Sequence, residues 1–208
     1  MNPEVCTVAV DVGNSSLKLA VEREQTMVDH AIAIGEQDWQ QQAIGWVSQV
    51  VGRAATDWRI ASVHRAAAGQ LRDVVCGQAA DGQMVRFISR HDVPLPLAVD
   101  YPDRLGIDRI LGAYAASNRV DLPAVVVDAG SAVTVDWIDA EGTFRGGAIL
   151  PGLNLQSDAL SRGTDALPQI RWDNGCEIRL PAKNTVEAIR SGILAAVAAG
   201  IDALIDRY

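Results

Sequence analysis

Cysteine is scarce in this chain of 208 residues, and the three present, Cys6, Cys76 and Cys176, are far apart. An odd, dispersed set excludes a disulfide framework and offers no CxxC pair for a metal, which suits a reducing compartment. Aromatic residues make up only 5% of the chain, and Trp39, Trp46, Trp58, Trp137 and Trp172 are too scattered to form a stacking platform for single-stranded nucleic acid. Cations are outnumbered, 18 Lys and Arg against 26 Asp and Glu, for a formal charge of −8. With no basic cluster among them, no nucleic-acid partner is expected. His30, His64 and His91 lack the spacing of metal ligands. No unbroken run of about 18 apolar residues occurs, so no membrane span is expected. Met1–Cys6 does not lead from a basic stretch into an apolar core, so no secretory leader is expected and cytoplasmic residence is the default. Neither GxxxxGK[ST] nor GxGxxG is present.

What remains is an ordinary globular composition, 49% hydrophobic and 21% charged. Strand-like runs are expected at Thr7–Asp11, Leu17–Glu22, Met27–Ile34, Trp58–Val63 and Val85–Ile88, and again at Ala124–Asp128, Val133–Ile138 and Thr143–Leu150. Helices are expected over Glu36–Val51, where Trp39, Ala43, Val47 and Val50 share a face, and over His64–Val75, Ile107–Asn118 and Thr185–Ile205. Val93–Asp103, with three prolines, reads as irregular. The fold class is therefore α/β.

One internal echo organises these elements. Thr7–Ser15 and Ala124–Ala132 are each an apolar run ending in Asp-x-Gly and small residues, and each is followed by another β-prone run. Two such units suggest a duplicated fold. In each, a strand delivers a carboxylate, Asp11 or Asp128, to a turn where Gly13 or Gly130 permits close backbone approach. Unobstructed N–H groups and hydroxyls at such turns form anion-binding concavities without many basic side chains. Either turn alone reads as a plain hairpin, but a carboxylate closing an apolar strand is costly to keep unless it serves a purpose. Lys18, on the return strand, either reaches a bound phosphate or is a solvated strand lysine. In Leu105-Gly106-Ile107-Asp108-Arg109 the acid sits in the first turn of a helix, where it is either a helix-start stabiliser or a functional carboxylate.

Taken together, several segments resemble the type III pantothenate kinases. They are Asp11–Lys18, Gly106–Arg109, Asp128–Asp136, Gly146–Gly152, Ala166–Pro168 and Asn184–Gly192, in an order and spacing that suit the family from residue 7 to about 206. The resemblance implies two ribonuclease H-like domains of the actin-like ATPase superfamily, each with a mixed sheet, at residues 1–118 and 119–208. Family members continue past the long helix, so the second domain is expected to be incomplete. It implies phosphorylation of pantothenate by ATP, the first step toward coenzyme A, with Mg²⁺ and a monovalent cation (K⁺ or NH₄⁺), in a homodimer. Asp11, Val12, Gly13, Asn14, Ser15, Ser16, Leu17, Lys18 and Ser131 are then the ATP-binding residues. Gly106, Ile107, Asp108, Arg109 and Thr185 contact pantothenate, Asp108 is the general base, and Asp128 is the cation ligand. Ser131 stands where the family more often has threonine, and Tyr101 lies closer to Gly106 than the family's tyrosine does.

Two other readings stay open on the sequence. A related kinase of the same superfamily would act on a sugar or carboxylate, and a non-catalytic relative would bind a nucleotide or protein partner as a regulator. In the long helix, Gly192, Ala196 and Gly200 form a small-residue ridge, suited to packing on its own domain or on a second copy.

Overall fold

The computed structural model describes residues 5–52, 54–77, 83–172 and 179–208. Cys176 lies outside them, while Cys6 and Cys76 are free thiols. The chain forms two compact units. Unit 1 is the chain up to Pro94 together with Leu105–Ile110, and unit 2 is Leu95–Arg104 with Leu111–Tyr208.

Unit 1 is a five-stranded mixed sheet with two helices. Strands β1 (Val5–Val12), β2 (Ser16–Arg23) and β3 (Thr26–Ala33) form an antiparallel meander, and helix α1 (Trp39–Val51) crosses to β4 (Ala55–Ser62), which lies parallel to β1. Helix α2 (Arg65–Gly77) leads to β5 (Gln83–Phe87), parallel to β4, for a strand order of β3-β2-β1-β4-β5. The alternation in the sequence fixes which face is buried. Val8, Val10, Val12, Leu17, Leu19, Val21, Trp58 and Ile60 face Trp39, Ala43 and Val47 of α1 and Ala67, Ala68, Leu71 and Val75 of α2. Each fully buried side chain of this size contributes about 1.5–3 kcal/mol relative to exposure, so this single layer holds the unit together. The opposite face carries exposed Thr7, Ala9, Lys18, Glu22, Arg59 and Arg86.

The expected start of the first helix at Glu36 falls three residues early. Gly35 (φ 130°) and Asp38 (φ 58°) take left-handed backbone conformations that interrupt any helix, which begins only at Trp39. His64 is a capping residue, its Nδ1 accepting from the Ala67 N–H at 3.2 Å, and His30 stacks on Trp46.

In unit 2, β6 (Ala124–Ala129), β7 (Ala132–Ile138) and β8 (Phe144–Pro151) repeat the antiparallel meander of β1–β3. Helix α4 (Leu153–Gly163), which the sequence reading left unassigned, follows at once, and helix α5 (Thr185–Ile205) closes the chain. Val133 and Val135 of β7 pack with Ile170 and with Ile189, Ile193 and Val197 of α5, and the Tyr208 hydroxyl donates to the Val135 carbonyl at 3.2 Å. Helix α3 (Ile107–Ser117) begins in unit 1 and ends in unit 2.

The expectation of a mixed sheet in each domain is met only in the first. Among the described residues β6 pairs with β7 alone, so the position that β4 takes beside β1 has no counterpart beside β6. Glu187, Arg190 and Asp202 interrupt the apolar character of α5, although one 18-residue window of it reaches a mean hydropathy of 1.7, enough by length and composition to cross a bilayer. Its Ile189, Ser191, Ile193 and Val197 are nevertheless buried against its own unit. The small-residue ridge on α5 is only partly used for that packing. A Cβ at Gly200 would approach Leu150 Cδ2 at 3.2 Å, whereas one at Gly192 meets nothing within 4 Å.

Candidate active site

In unit 1 the polar residues gather at the C-terminal ends of the parallel strands β1 and β4. Asp11 and Lys18 are register partners on the open face, with Lys18 Nζ 3.9 Å from Asp11 Oδ2. Between them the chain turns through Gly13, Asn14 and Ser15. The Gly13 N–H donates to the Ser16 carbonyl at 3.0 Å, and the Ser15 carbonyl accepts from the Ile34 N–H at 2.9 Å. A Cβ at Gly13 would lie 3.2 Å from the Ser16 oxygen, so the turn is tight enough to favour glycine. Asn14 and Ser15 are exposed at its tip, while Val12 and Leu17 anchor it in the core.

The end of β4 is tied to the same place. The Val12 carbonyl accepts from the Val63 N–H at 3.1 Å and from the Ser62 hydroxyl at 3.3 Å, and Ser62 Oγ in turn accepts from the His64 N–H. The Gly106–Arg109 segment reaches this turn, since a Cβ on Gly106 would lie 3.9 Å from Val63 Cγ1. Gly106 is the residue from which α3 starts, its carbonyl accepting from the Ile110 N–H. Asp108 does not extend away from the helix. Its Oδ1 accepts from the Arg109 N–H at 2.8 Å and occupies the space a Cβ on Gly106 would take. Gly106 thus leaves room for the fold-back of a carboxylate two residues later, a reason the Gly-x-Asp spacing alone does not reveal. Asp108 and Arg109 are both partly buried, while Ile107 begins the helix and Ile110 enters the core.

In unit 2, Asp128 is exposed on β6 opposite Thr134. The β6–β7 hairpin closes through the Gly130 N–H donating to the Ala132 carbonyl at 2.9 Å, which leaves Ser131 at the tip. The Ser131 carbonyl accepts from the Gly152 N–H at 3.1 Å, and the Gly130 and Ser131 carbonyls fill the space of a Cβ on Gly152. The N-terminus of α4 is therefore pressed against the hairpin. Buried Asp136 packs where a Cβ on Gly147 would be.

Thr185 is the first residue of α5. Asn184 caps that helix, its Oδ1 accepting from the Glu187 N–H at 2.9 Å. Thr185 also lines an open groove of about 610 Å³ between α4 and α5, with Gln156, Leu160, Lys183, Asn184 and Gly192. Gln156 and Lys183 escaped the sequence reading because nothing in their local pattern marks a groove that two helices build together.

No cluster of three or more His, Cys, Asp or Glu side chains suited to a metal occurs among the described residues.

The sequence profile of the type III pantothenate kinases matches residues 7–207. A type III pantothenate kinase of Rhodopirellula baltica is 38% identical, over 97% of this chain and 83% of that protein. Another, from Synechococcus sp. (strain JA-3-3Ab), is 50% identical over 51% of this chain and 44% of its own length. Among solved structures, the activator of the 2-hydroxyisocaproyl-CoA dehydratase from Clostridium difficile, with bound ADPNP, superposes with a TM-score of 0.50 at 14% identity, over 97% of this chain and 75% of that one. At that identity the likeness speaks for fold alone. The profile match along nearly the whole sequence decides the matter: the chain belongs to the type III pantothenate kinase family.

Proposed function

We propose that this protein transfers the γ-phosphoryl group of ATP to pantothenate, giving 4'-phosphopantothenate, the first step of coenzyme A biosynthesis. The observation that carries the reading in unit 1 is the Asp108 carboxylate, held at the start of α3 by the Arg109 N–H beside Val63, whose N–H ties the end of β4 to the Val12 carbonyl of β1. Phosphoryl transfer depends mainly on alignment and charge stabilisation. Asp108 would accept the proton of the primary hydroxyl as the bond to phosphorus forms, and Arg109 would hold the anionic substrate or stabilise transition-state charge.

Asp11 through Lys18 would cradle the ATP phosphates, with the Lys18 ammonium beside Asp11 offsetting part of the charge. Ser131 would add an ATP contact, and Gly106, Ile107 and Thr185 would contact pantothenate. Mg²⁺, when bound with ATP, would supply charge neutralisation at the phosphates cradled by Asp11–Lys18. Asp128 would hold a monovalent cation. It is exposed, and no cation lies within ion-pair distance of it among the described residues, which supports that assignment.

The chain is read as two ribonuclease H-like domains, 1–118 and 119–208, and the meander shared by β1–β3 and β6–β8 supports this reading. A homodimer is also proposed. The exposed Gly192 and Ala196 on α5 support it, and sedimentation would test it. Cytoplasmic residence completes the reading.

Pantothenate-dependent ADP release with ATP, Mg²⁺ and K⁺ tests the activity, with Asp108→Asn run beside the parent chain. Turnover in the parent and its loss in the variant are expected. Well-folded protein that binds pantothenate without turnover would favour the non-catalytic reading.

A further inference from the structure

On the open face of the unit 1 sheet lies a second charged constellation that the kinase reading does not use. Asp57 of β4 is only 3% exposed, although it lies on the sheet face away from α1 and α2. Two arginines cover it. Arg59 donates from Nε to Asp57 Oδ2 at 3.1 Å, and Arg86 Nε lies 3.6 Å from Oδ1. Arg59 and Arg86 are direct register partners on β4 and β5. Like charges placed opposite each other on adjacent strands are destabilising, and one carboxylate can balance only one of them. The site therefore carries an excess positive charge in a chain of net charge −8.

The geometry shows where that excess is presented. In both ion pairs the nitrogen nearest Asp57 is Nε. The terminal NH₂ groups of both guanidiniums make no hydrogen bond among the described residues, and the two side chains are 51% and 62% exposed. Asp57 Oδ1 is buried without a hydrogen bond. Asp57 thus holds Arg59 by a hydrogen bond and Arg86 by a 3.6 Å ion-pair contact, both at Nε, which leaves the outer edges of two half-exposed guanidiniums available to a ligand. A guanidinium edge is a planar, two-donor match for an oxyanion, and holding it in place removes part of the ordering cost of binding.

We infer that Arg59 and Arg86 form a clamp for a phosphate dianion, free or as a monoester, with Asp57 as its buried positioning residue. The clamp is distinct from the Asp11 turn. Asp57 lies four residues before Ala61, the register partner of Asp11, which is about 13 Å along the strand. The inference does not rest on the kinase reading.

The test follows the Arg Nε–H resonances of the full 208-residue chain by NMR at constant ionic strength near neutral pH. Inorganic phosphate and glycerol phosphate are titrated in separate arms, with chloride as control. Saturable shifts at Arg59 and Arg86 are expected with phosphate and not with chloride, and a stronger response to one arm tells free phosphate from a monoester. Arg86→Gln and Arg59→Gln, both at exposed side chains, should each weaken binding at least about tenfold, the loss of one charge-assisted hydrogen bond. Asp57→Asn separates positioning from simple attraction. It makes the site more positive, so attraction alone would tighten binding, whereas loss of positioning weakens it. Shifts that do not saturate, or saturable binding untouched by Arg86→Gln, overturn the clamp. Tighter binding in a folded Asp57→Asn chain overturns the role given to Asp57.

Discussion

Replacing Gly106 with alanine asks whether the placement of the Asp108 carboxylate, and not only its presence, sets the rate of phosphoryl transfer. The new methyl group would occupy the position of Asp108 Oδ1, while its next neighbour outside the Asp108 side chain, Val63 Cγ1, would be a comfortable 3.9 Å away. Non-bonded heavy atoms settle at about 3.5 Å, so the carboxylate must retreat by roughly 1 Å. The retreating atom is the end of a short side chain, and Gly106 is not among the positive-φ glycines, so the backbone need not move. Stability should therefore change by no more than about 1 kcal/mol. A misplacement of about 1 Å at the reacting centre costs on the order of 10² in rate. The expected result is a fall of that size in kcat for pantothenate-dependent ADP release, with a nearly unchanged Tm. Asp108→Asn alone should lose roughly 10² to 10⁴. The double variant should lose no more than Asp108→Asn, because displacing a side chain that no longer acts as a base costs nothing further. Full kcat in Gly106→Ala would refute the placement argument, and a double variant reduced by the product of the single effects would move the role to the Gly106 backbone.

Other substitutions probe the supports of the site. Gly152→Ala should destabilise the protein by about 1–3 kcal/mol, read as a lower Tm, because two backbone carbonyls of the β6–β7 hairpin block the methyl and neither can rotate away. Asn184→Ala removes the oxygen that accepts from the Glu187 N–H and should cost about 1 kcal/mol in denaturant unfolding. Asp139→Asn tests a pH-linked contact: the Thr143 N–H, then Arg145 and the Glu141 N–H, hold the Asp139 carboxyl below the usual carboxylate range against the opposing effect of burial. With the folded-state value depressed, the stabilisation is present above the unfolded value of about 3.9 and is lost as pH falls through the folded one. The variant should thus be less stable than the parent at neutral pH, and the gap should shrink under acid, as followed by thermal melts across pH.

Much of the fold was legible because one-sided burial imposes a period of two. Val8, Val10 and Val12 of β1 and Leu17, Leu19 and Val21 of β2 are all core residues, and the strands containing them were expected within a few residues of where they lie. The hairpin between β2 and β3 was legible from its flanking strands and not from its turn residues. It turns through Glu24 and Gln25, both with positive φ, where glycine or asparagine would have marked the bend. Helix α4 went unseen because its start is set by a tertiary contact, the hairpin carbonyls against Gly152, and not by a capping side chain. At the site, the Asp-x-Gly turns announced themselves through local chain chemistry. The fold-back of Asp108 over Gly106 did not, since sequence spacing gives proximity but not rotamer. Arg59 and Arg86 stayed hidden for a related reason, because only the β4–β5 register makes them neighbours.

The two Asp-x-Gly hairpins repeat one another in backbone path and yet differ in electrostatics, and the difference lies in a single register position. Opposite Asp11 stands Lys18, with its ammonium 3.9 Å away, while opposite Asp128 stands the uncharged Thr134. A carboxylate next to an ammonium presents a nearly neutral surface, which an anionic phosphate can approach without strong repulsion. A carboxylate facing a hydroxyl keeps its charge and offers an oxygen to a hard cation. Duplication of a strand–turn–strand unit would have given two equivalent acids. Under the proposed roles, the lysine on one return strand and the threonine on the other distinguish an acid suited to a neighbouring phosphate from one suited to a cation.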